Sequence, residues 1–147
     1  ATWPVAIQKL ADDFLKCPVR VQVGFGAQVG NPNIKQEVRV CMSADDKSQA
    51  LLDVLGGRQS DSERVMIFVN TKIMCSLVEE DLLRRHVDCV VIHGDKNQTE
   101  REAALAAFKA CRPSVLVATD VAARGLDIKG VQIVISHDIA LTIDTHV

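Results

Sequence analysis

The sequence predicts an α/β fold in which a parallel β-sheet is flanked by helices, and three observations lead to this prediction. Short apolar runs alternate along the chain with segments of about 10–15 residues that have a helical pattern. Runs such as Val65 to Val69 are continuous, as in strands that are buried on both faces. Polar residues and glycines follow several of these runs, at the edge where open α/β sheets bind ligands.

The expected elements follow one another regularly along the chain. In order, they are a helix from Pro4 to Leu15, strands from Val19 to Val23 and Glu37 to Met42, a helix from Ser43 to Leu55, a strand from Val65 to Val69, a helix from Thr71 to His86, a strand from Val87 to Ile92, a helix from Thr99 to Ala110, and strands from Val115 to Ala118 and Val131 to Ile135. Such alternation produces βαβ units and therefore a parallel sheet.

Two helices can be described further. Ser43 is a good N-cap, Asp45 and Asp46 suit the positive end of the helix dipole, and Gly56 with Gly57 ends the helix. In the helix from Thr71, the residues predicted to face inward are Ile73, Met74, Leu77, Val78 and Leu82.

Composition limits the class of protein. The chain has 147 residues, enough for one ordinary domain, with 48% apolar and 24% charged residues. Its formal charge is −2, so any nucleic-acid surface must be built locally from a few Arg and Lys side chains. The sequence shows neither a membrane span nor a signal peptide. We therefore expect an intracellular protein of the nucleus or cytoplasm that has no membrane partner.

The five cysteines are widely spaced and contain no C-x-x-C pair, and the four histidines show no metal-ligand spacing. We expect buried free thiols and no metal site. The segment from Gly24 to Asn33 contains three glycines, two asparagines and a proline, which makes it the best linker candidate. Its glycine spacing lacks the third glycine of a dinucleotide fingerprint, so a nucleotide site there is disfavoured.

The segment from Val115 to Asp127 is the most informative part of the chain. An apolar strand ends in Thr119 and Asp120, and a short helical turn then delivers Arg124 and Asp127. A hydroxyl, carboxylates, a guanidinium and a glycine are thereby gathered at the carboxyl end of a strand. These side chains also have simpler explanations. Asp120 would only fix the turn, and Arg124 would only be a solvated side chain.

A second segment, from His93 to Arg101, lies between a strand and a helix. Gly94 opens a turn, and Gln98 and Arg101 are three residues apart in the first helical turn. A guanidinium beside unpaired N–H groups suits a phosphate. The alternative is a capping box formed by the Asn97 or Gln98 region with Thr99 and Glu102, which would leave Arg101 in solvent.

A third segment, Ile67-Phe-Val-Asn-Thr-Lys72, again runs from a strand end into a helix. We expect Phe68 to be a core residue, with stacking against a ligand as the less favoured role. Thr71 is a plausible helix cap.

These three segments resemble motifs V, Q-x-x-R and IV of the DEAD-box RNA helicases, in the correct order, and the second leans towards the p68-type subgroup. The resemblance implies that RNA backbone contacts come from residues of all three segments, namely Thr71, Gly94, Gln98, Arg101, Thr119 and Gly125. It places Asp127 against the ribose of ATP across an interdomain cleft, with Arg124 facing the partner domain.

The resemblance also implies the domain organisation. Residues 1–23 resemble the last helix and strand of an N-terminal RecA-like domain, 24–33 the linker, and 34–147 an incomplete C-terminal RecA-like domain that lacks motif VI. ATP and Mg²⁺ would be bound mainly through the N-terminal domain, because no phosphate-binding G-x-x-x-x-G-K-[ST] loop and no Asp-Glu-Ala-Asp motif is present. We expect residues 1–30 to be the least protected against hydrogen exchange.

The resulting hypothesis is a part of an ATP-dependent RNA helicase that separates short duplexes. It would be monomeric, would bind single-stranded or short duplex RNA with little sequence preference, would partner the N-terminal RecA-like domain, and would lack ATPase activity alone. The alternative is a non-catalytic RNA- or protein-binding module produced by natural truncation. A flavodoxin-like signalling domain also fits the alternation, but Asp120 alone is too little for its acidic phosphoacceptor cluster.

Overall fold

A computed structural model describes residues 5–19, 21, 33–123 and 128–139. Among these, residues from Val38 onward belong to one compact unit and residues before it to another. In the unit that precedes Val38, helix α1 spans Val5–Phe14, close to its predicted bounds. Within the strand predicted from Val19 to Val23, the structure describes Val19 and Val21. Both are exposed and have no regular structure, so the prediction is wrong for these two residues.

The larger unit contains a four-stranded parallel sheet with helices on both faces. Its elements are α2 (Ala44–Gly56), β1 (Arg64–Val69), α3 (Lys72–Arg84), β2 (Val90–Ile92), α4 (Gln98–Lys109), β3 (Val115–Thr119), α5 (Asp120–Ala123) and β4 (Val131–Ser136). The strand order is β2-β3-β1-β4, and all three pairings are parallel. The predicted fold class is confirmed.

The two faces of the sheet bury two separate clusters. On one face, α2 and α3 pack through Leu51, Leu55, Cys75, Val78 and Leu82. On the other face, α4 and α5 pack through Ala104, Phe108 and Ala122. Alternate residues of β1 and β3 point to opposite clusters, as the two-residue period of a strand requires. This explains why both central strands are apolar throughout.

Helix α2 begins and ends as its sequence predicts. The Ser43 hydroxyl accepts a hydrogen bond from the Asp46 N–H at 3.0 Å, and the N–H of Gly57 donates to the Asp53 carbonyl at 3.0 Å. Asp45 and Asp46 occupy the first turn.

Helix α3 exposes residues that were predicted to be buried. Val78 and Leu82 face the core as expected, and Met74 packs partly against it, but Ile73 and Leu77 are 68% and 52% exposed. The true apolar stripe runs through Cys75, Val78 and Leu82, at spacings of three and four residues. Since each residue turns the helix by about 100°, Ile73 lies on the opposite side.

The strand predicted from Glu37 to Met42 is also wrong. These residues have no regular structure, and Val38, Val40 and Met42 are exposed. An alternating pattern gives a segment only the capacity to pair, and this segment is not a strand of the described sheet. The strand predicted from Val87 is shorter than expected, although Val87 and Cys89 still pack against the core. No described helix is long and apolar enough to cross a membrane.

Candidate nucleic-acid interface

The strand register brings the predicted motifs to one edge of the sheet. Thr119, the last residue of β3, is paired with Val69 at the end of β1, and Ala118 is paired with Ile92 at the end of β2. Since β3 lies between β1 and β2, Thr119 lies between the loops that follow them. The carboxyl edge therefore presents the three predicted segments side by side.

The loop after β1 leads directly into α3. Thr71 is the N-cap of this helix, and its Oγ1 accepts a hydrogen bond from the Met74 N–H at 3.1 Å. The capping role expected of Thr71 is thus present, and its hydroxyl proton remains able to donate to an anion. Phe68 packs partly against the second core cluster, in agreement with the core role predicted for it.

The loop after β2 is joined to α3 by an ion pair that the sequence did not indicate. The Nζ of Lys72 donates to the Oδ2 of Asp95 at 2.6 Å. The hydrogen bond and the charge of Lys72 hold the pKa of Asp95 below its usual range. The Asp95 N–H also donates to the Nδ1 of His93 at 3.3 Å. These contacts order the loop that contains Gly94.

Gly94 has no structural reason of its own to be a glycine. A Cβ placed on it would meet nothing within 4 Å, and its φ is not positive. The open space beside its backbone is compatible with the close approach of a ligand. The prediction that Gly94 contacts RNA remains a prediction.

Helix α4 begins with a capping box, as the alternative for this segment proposed, but the box pairs Asn97 with Glu100 and does not use Thr99 and Glu102. The Asn97 side chain accepts from the Glu100 N–H at 2.9 Å, while the Glu100 carboxylate accepts from the Asn97 N–H at 2.8 Å. These two N–H groups are therefore satisfied within the protein and are not available to a phosphate. An anion at this point would depend on side chains.

Gln98 and Arg101 do not act on a common neighbour in this structure. The Nε2 of Gln98 donates to Glu102 at 2.7 Å within α4, whereas the Nη2 of Arg101 donates to the Ala122 carbonyl at 3.1 Å. Arg101 is half-buried, so it is not merely solvated. It ties the first turn of α4 to α5, and its remaining donors are compatible with a phosphate.

The remaining predicted residues follow β3. Thr119 is half-buried at the strand end, and Asp120 is the first residue of α5. Arg124, Gly125 and Asp127 lie outside the described residues, so their predicted roles stay predictions.

Sequence reasoning missed a polar cluster at the end of β4. The two carboxylate oxygens of Asp138 accept from the Lys47 Nζ at 2.6 Å and from the Asn70 N–H at 3.0 Å. The Asn70 side chain in turn donates to the Ile139 carbonyl at 2.9 Å. Burial acts to raise the pKa of Asp138, but these donors outweigh it and hold that pKa below its usual range. The signal available in the sequence was the polar pair His137 and Asp138, which directly follows β4.

The side chain of His137, beside this cluster, is only 9% exposed. Its N–H group in the backbone donates to the Phe68 carbonyl at 2.9 Å, but its Nδ1 has no hydrogen-bond partner. Nδ1 lies 3.4 Å from the Oδ1 of Asp138 without hydrogen-bond geometry. Burial and the nearby Lys47 charge lower the pKa of the imidazole. The two side chains are therefore neighbours and not an ion pair at neutral pH.

The cysteines differ in their exposure, and burial suppresses the ionisation of two of them. All five are free, but only Cys75 is fully buried, and Cys17 is exposed, so the prediction of buried thiols holds for one of them. Burial raises the pKa of Cys75 to about 11 and that of Cys89 to about 12. Among the described residues, no three His, Cys, Asp or Glu side chains group as a metal site.

A parallel sheet with helices on both faces and polar loops along its carboxyl edge is the architecture of a RecA-like α/β domain, and the solved structures that this chain matches have the same fold. The sequence matches the family described as the helicase conserved C-terminal domain over residues 46–147, and the chain belongs to that family. The resemblance to DEAD-box RNA helicases is confirmed by the relatives and solved structures it matches.

The chain is 41% identical to DEAD-box ATP-dependent RNA helicase 40 of Oryza sativa subsp. japonica, and the match covers 100% of this chain and 18% of that protein. Among solved structures, the RNA helicase Prp28 of Chaetomium thermophilum bound to ADP is 31% identical with a TM-score of 0.67, and the match covers 99% of this chain and 34% of the other. S. cerevisiae Dbp5 bound to RNA and ADP BeF3 is 26% identical with a TM-score of 0.84, and the match covers 97% of this chain and 36% of the other. The chain spans about a fifth to a quarter of the curated relatives.

Proposed function

We propose that this chain is the part of an ATP-dependent RNA helicase that holds the RNA backbone and completes the ATP cleft. The observation that carries this proposal is the alignment of three predicted motifs along one sheet edge. Thr119 ends β3, and Thr71 and Gly94 lie just after the ends of β1 and β2, which the register sets beside the end of β3. The family membership and the relatives named as RNA helicases support it.

The edge is suited to a backbone ligand. Its described polar groups are a threonine hydroxyl at a strand end, an open glycine backbone and the Arg101 guanidinium. Hydroxyl and guanidinium donors match phosphate oxygens, and contacts to phosphate carry no sequence information, so we expect sequence-tolerant, salt-dependent binding. Gln98 would add a further polar contact, and Gly125 would let the backbone approach closely.

The cleft role rests on residues outside the described part. Arg124 would face the N-terminal RecA-like domain, and Asp127 would hold the ribose of ATP. ATP and Mg²⁺ would supply the hydrolysis that drives release. Since the phosphate cradle and the metal ligands would belong to the other domain, we expect this chain alone to lack ATPase activity. We also expect it to be monomeric. We expect an intracellular location, in the nucleus or cytoplasm.

The test is the affinity of the full chain for a labelled single-stranded RNA as salt is varied. Thr119→Val should weaken binding about two- to tenfold, the worth of one hydrogen bond. Arg101→Gln should weaken it further and lower the salt slope by about one, because it removes one cation from the phosphate surface.

Arg101→Lys is the matched control, since it keeps the charge and should preserve most of the salt slope. Unfolding curves of all variants separate lost binding from lost structure. The proposal fails if the full chain does not bind RNA, or if both substitutions leave the affinity unchanged. ATP turnover by the chain alone would contradict the expected lack of ATPase activity.

A further inference from the structure

The Lys72–Asp95 ion pair crosses the row of strand ends. Lys72 follows β1 and Asp95 follows β2, and the strand between them is β3, which ends at Thr119. The contact between the Nζ of Lys72 and the Oδ2 of Asp95 is 2.6 Å. It therefore links the two loops on either side of the position proposed to hold RNA.

Both partners are accessible to a ligand. The side chains of Lys72 and Asp95 are 58% and 60% exposed. An ion pair this exposed contributes little to folding, because water screens it and two side chains lose freedom to form it. It can therefore be exchanged for another ion pair at little cost to the fold.

The position of Lys72 favours such an exchange. It is the first residue of α3, at the positive end of the helix dipole, where a cation is disfavoured and an anion is needed beside it. Asp95 supplies that anion in this structure. A phosphate carries charge and acceptor oxygens of the same kind, and a lysine binds it as a point charge.

We propose that Lys72 is a further RNA phosphate ligand and that Asp95 is its resident competitor. Binding of RNA at this edge then exchanges the Lys72–Asp95 ion pair for a Lys72–phosphate pair. Asp95 weakens the hold on RNA in two ways, by occupying the ammonium and by repelling the incoming phosphate. This inference rests on the proposed function, and it adds a device that favours RNA release.

The experiment is a double-mutant cycle on the full chain, with Lys72→Met, Asp95→Asn and the double variant, measured with a labelled oligouridylate. Asp95→Asn should tighten RNA binding about two- to fivefold, the range expected for an exposed ion pair. Lys72→Met should weaken binding and lower the salt slope by about one. In the Lys72→Met background, the gain from Asp95→Asn should shrink, because only the repulsion between the carboxylate and the phosphate then remains to be removed.

The control is Asp61→Asn, which changes net charge equally. Asp61 lies before β1, at the opposite edge of the sheet, and its fully exposed carboxylate is 3.8 Å from the Arg58 side chain, which is only 13% exposed. Lys109→Met, at the end of α4, is the corresponding control for the lysine.

The inference is overturned if Asp95→Asn acts no more strongly than Asp61→Asn, or if its effect is the same with and without Lys72. Weaker RNA binding by Asp95→Asn would also overturn it. Thr119→Val and Arg101→Gln distinguish a failure of this inference from a failure of the proposed function. If these weaken binding while the cycle shows no coupling, only this inference fails, whereas no effect from any substitution removes the proposed function as well.

Discussion

At the scale of single residues, the carboxyl edge is held by side chains that the motifs do not contain. Asp138 joins the end of β4 to α2 through Lys47 and to the loop after β1 through Asn70. Both oxygens of the Asp138 carboxylate accept hydrogen bonds, and the bond to the Asn70 N–H holds the loop that positions Thr71. Arg101, which does belong to one of the motifs, joins α4 to α5 through the Ala122 carbonyl.

His137 makes stability depend on pH. The unfolded chain protonates this residue near pH 6.5, whereas burial lowers the pKa of the imidazole in the folded protein. The unfolded state therefore binds more protons below about pH 6.5, and the free energy of unfolding should fall as pH decreases. Each unit of pKa difference contributes about 1.4 kcal/mol.

Chemical denaturation between about pH 7 and pH 5 checks this prediction, with His137→Gln as the comparison. The variant should lose less stability than the unsubstituted chain over this range. Asp138 does not interfere, because its pKa is below the usual range and its stabilising charge is lost only in more acidic solution. Equal slopes for the two proteins would contradict the prediction.

A substitution of Gly94 tests RNA binding independently of folding. Gly94→Ala should leave the free energy of unfolding unchanged or raise it by up to about 1 kcal/mol, because a methyl group meets no atom and the unfolded chain loses freedom. RNA affinity should fall, because the methyl group occupies the space proposed for the backbone of RNA.

Gly56→Ala is the matched control for this substitution. A Cβ on Gly56 also meets nothing within 4 Å, and this glycine ends α2, ahead of the amino end of β1. It should change neither RNA affinity nor the fold. If Gly94→Ala binds RNA as tightly as Gly56→Ala does, Gly94 is not at the interface.

At the scale of elements, helix ends were easier to predict than helix faces. Ser43 and Thr71 cap α2 and α3 as expected, because a cap depends on hydrogen bonds to residues three positions away. The buried face of α3 depends instead on where the sheet lies. Cys75, which was not among the predicted inward residues, is fully buried, while Ile73 is exposed.

Adjacent leucines of α3 test this assignment. Leu82 is fully buried and Leu83 is 50% exposed. Leu82→Ala should lower the free energy of unfolding by about 2–5 kcal/mol, because it removes buried methyl groups and leaves a cavity. Leu83→Ala, with the same chemical change, should cost about 1 kcal/mol or less. Urea denaturation of both variants measures the difference, and similar losses would show that the helix face is wrongly assigned.

At the scale of the whole molecule, β1 and β3 form the centre of the sheet. Each is hydrogen-bonded to strands on both sides and has a helix-covered cluster on each face. By contrast, Leu10, Phe14 and Leu15, in and just after α1, are exposed. Local opening should therefore be much easier in α1 than in the central strands.

Hydrogen exchange measured by mass spectrometry or NMR checks this expectation. Amides of β3 should exchange slowest and those of α1 among the fastest, which agrees with the low protection expected for residues 1–30. Equal protection of α1 and β3 would contradict it. The measurement needs no substitution and uses the chain as it stands.

The sequence by itself determined the fold class, most of the strands and helices around the core, and the family. Periodicity, caps and contiguous motifs are local properties, and residues such as Val115 to Thr119 carry them within a few positions. The tertiary structure decided which apolar residues are buried and whether an alternating segment pairs, as Ile73 and Val40 show. It also decided the contacts of Lys72 with Asp95 and of Lys47 with Asp138. These pairs are far apart in the sequence, so only the order and register of the strands brings them together.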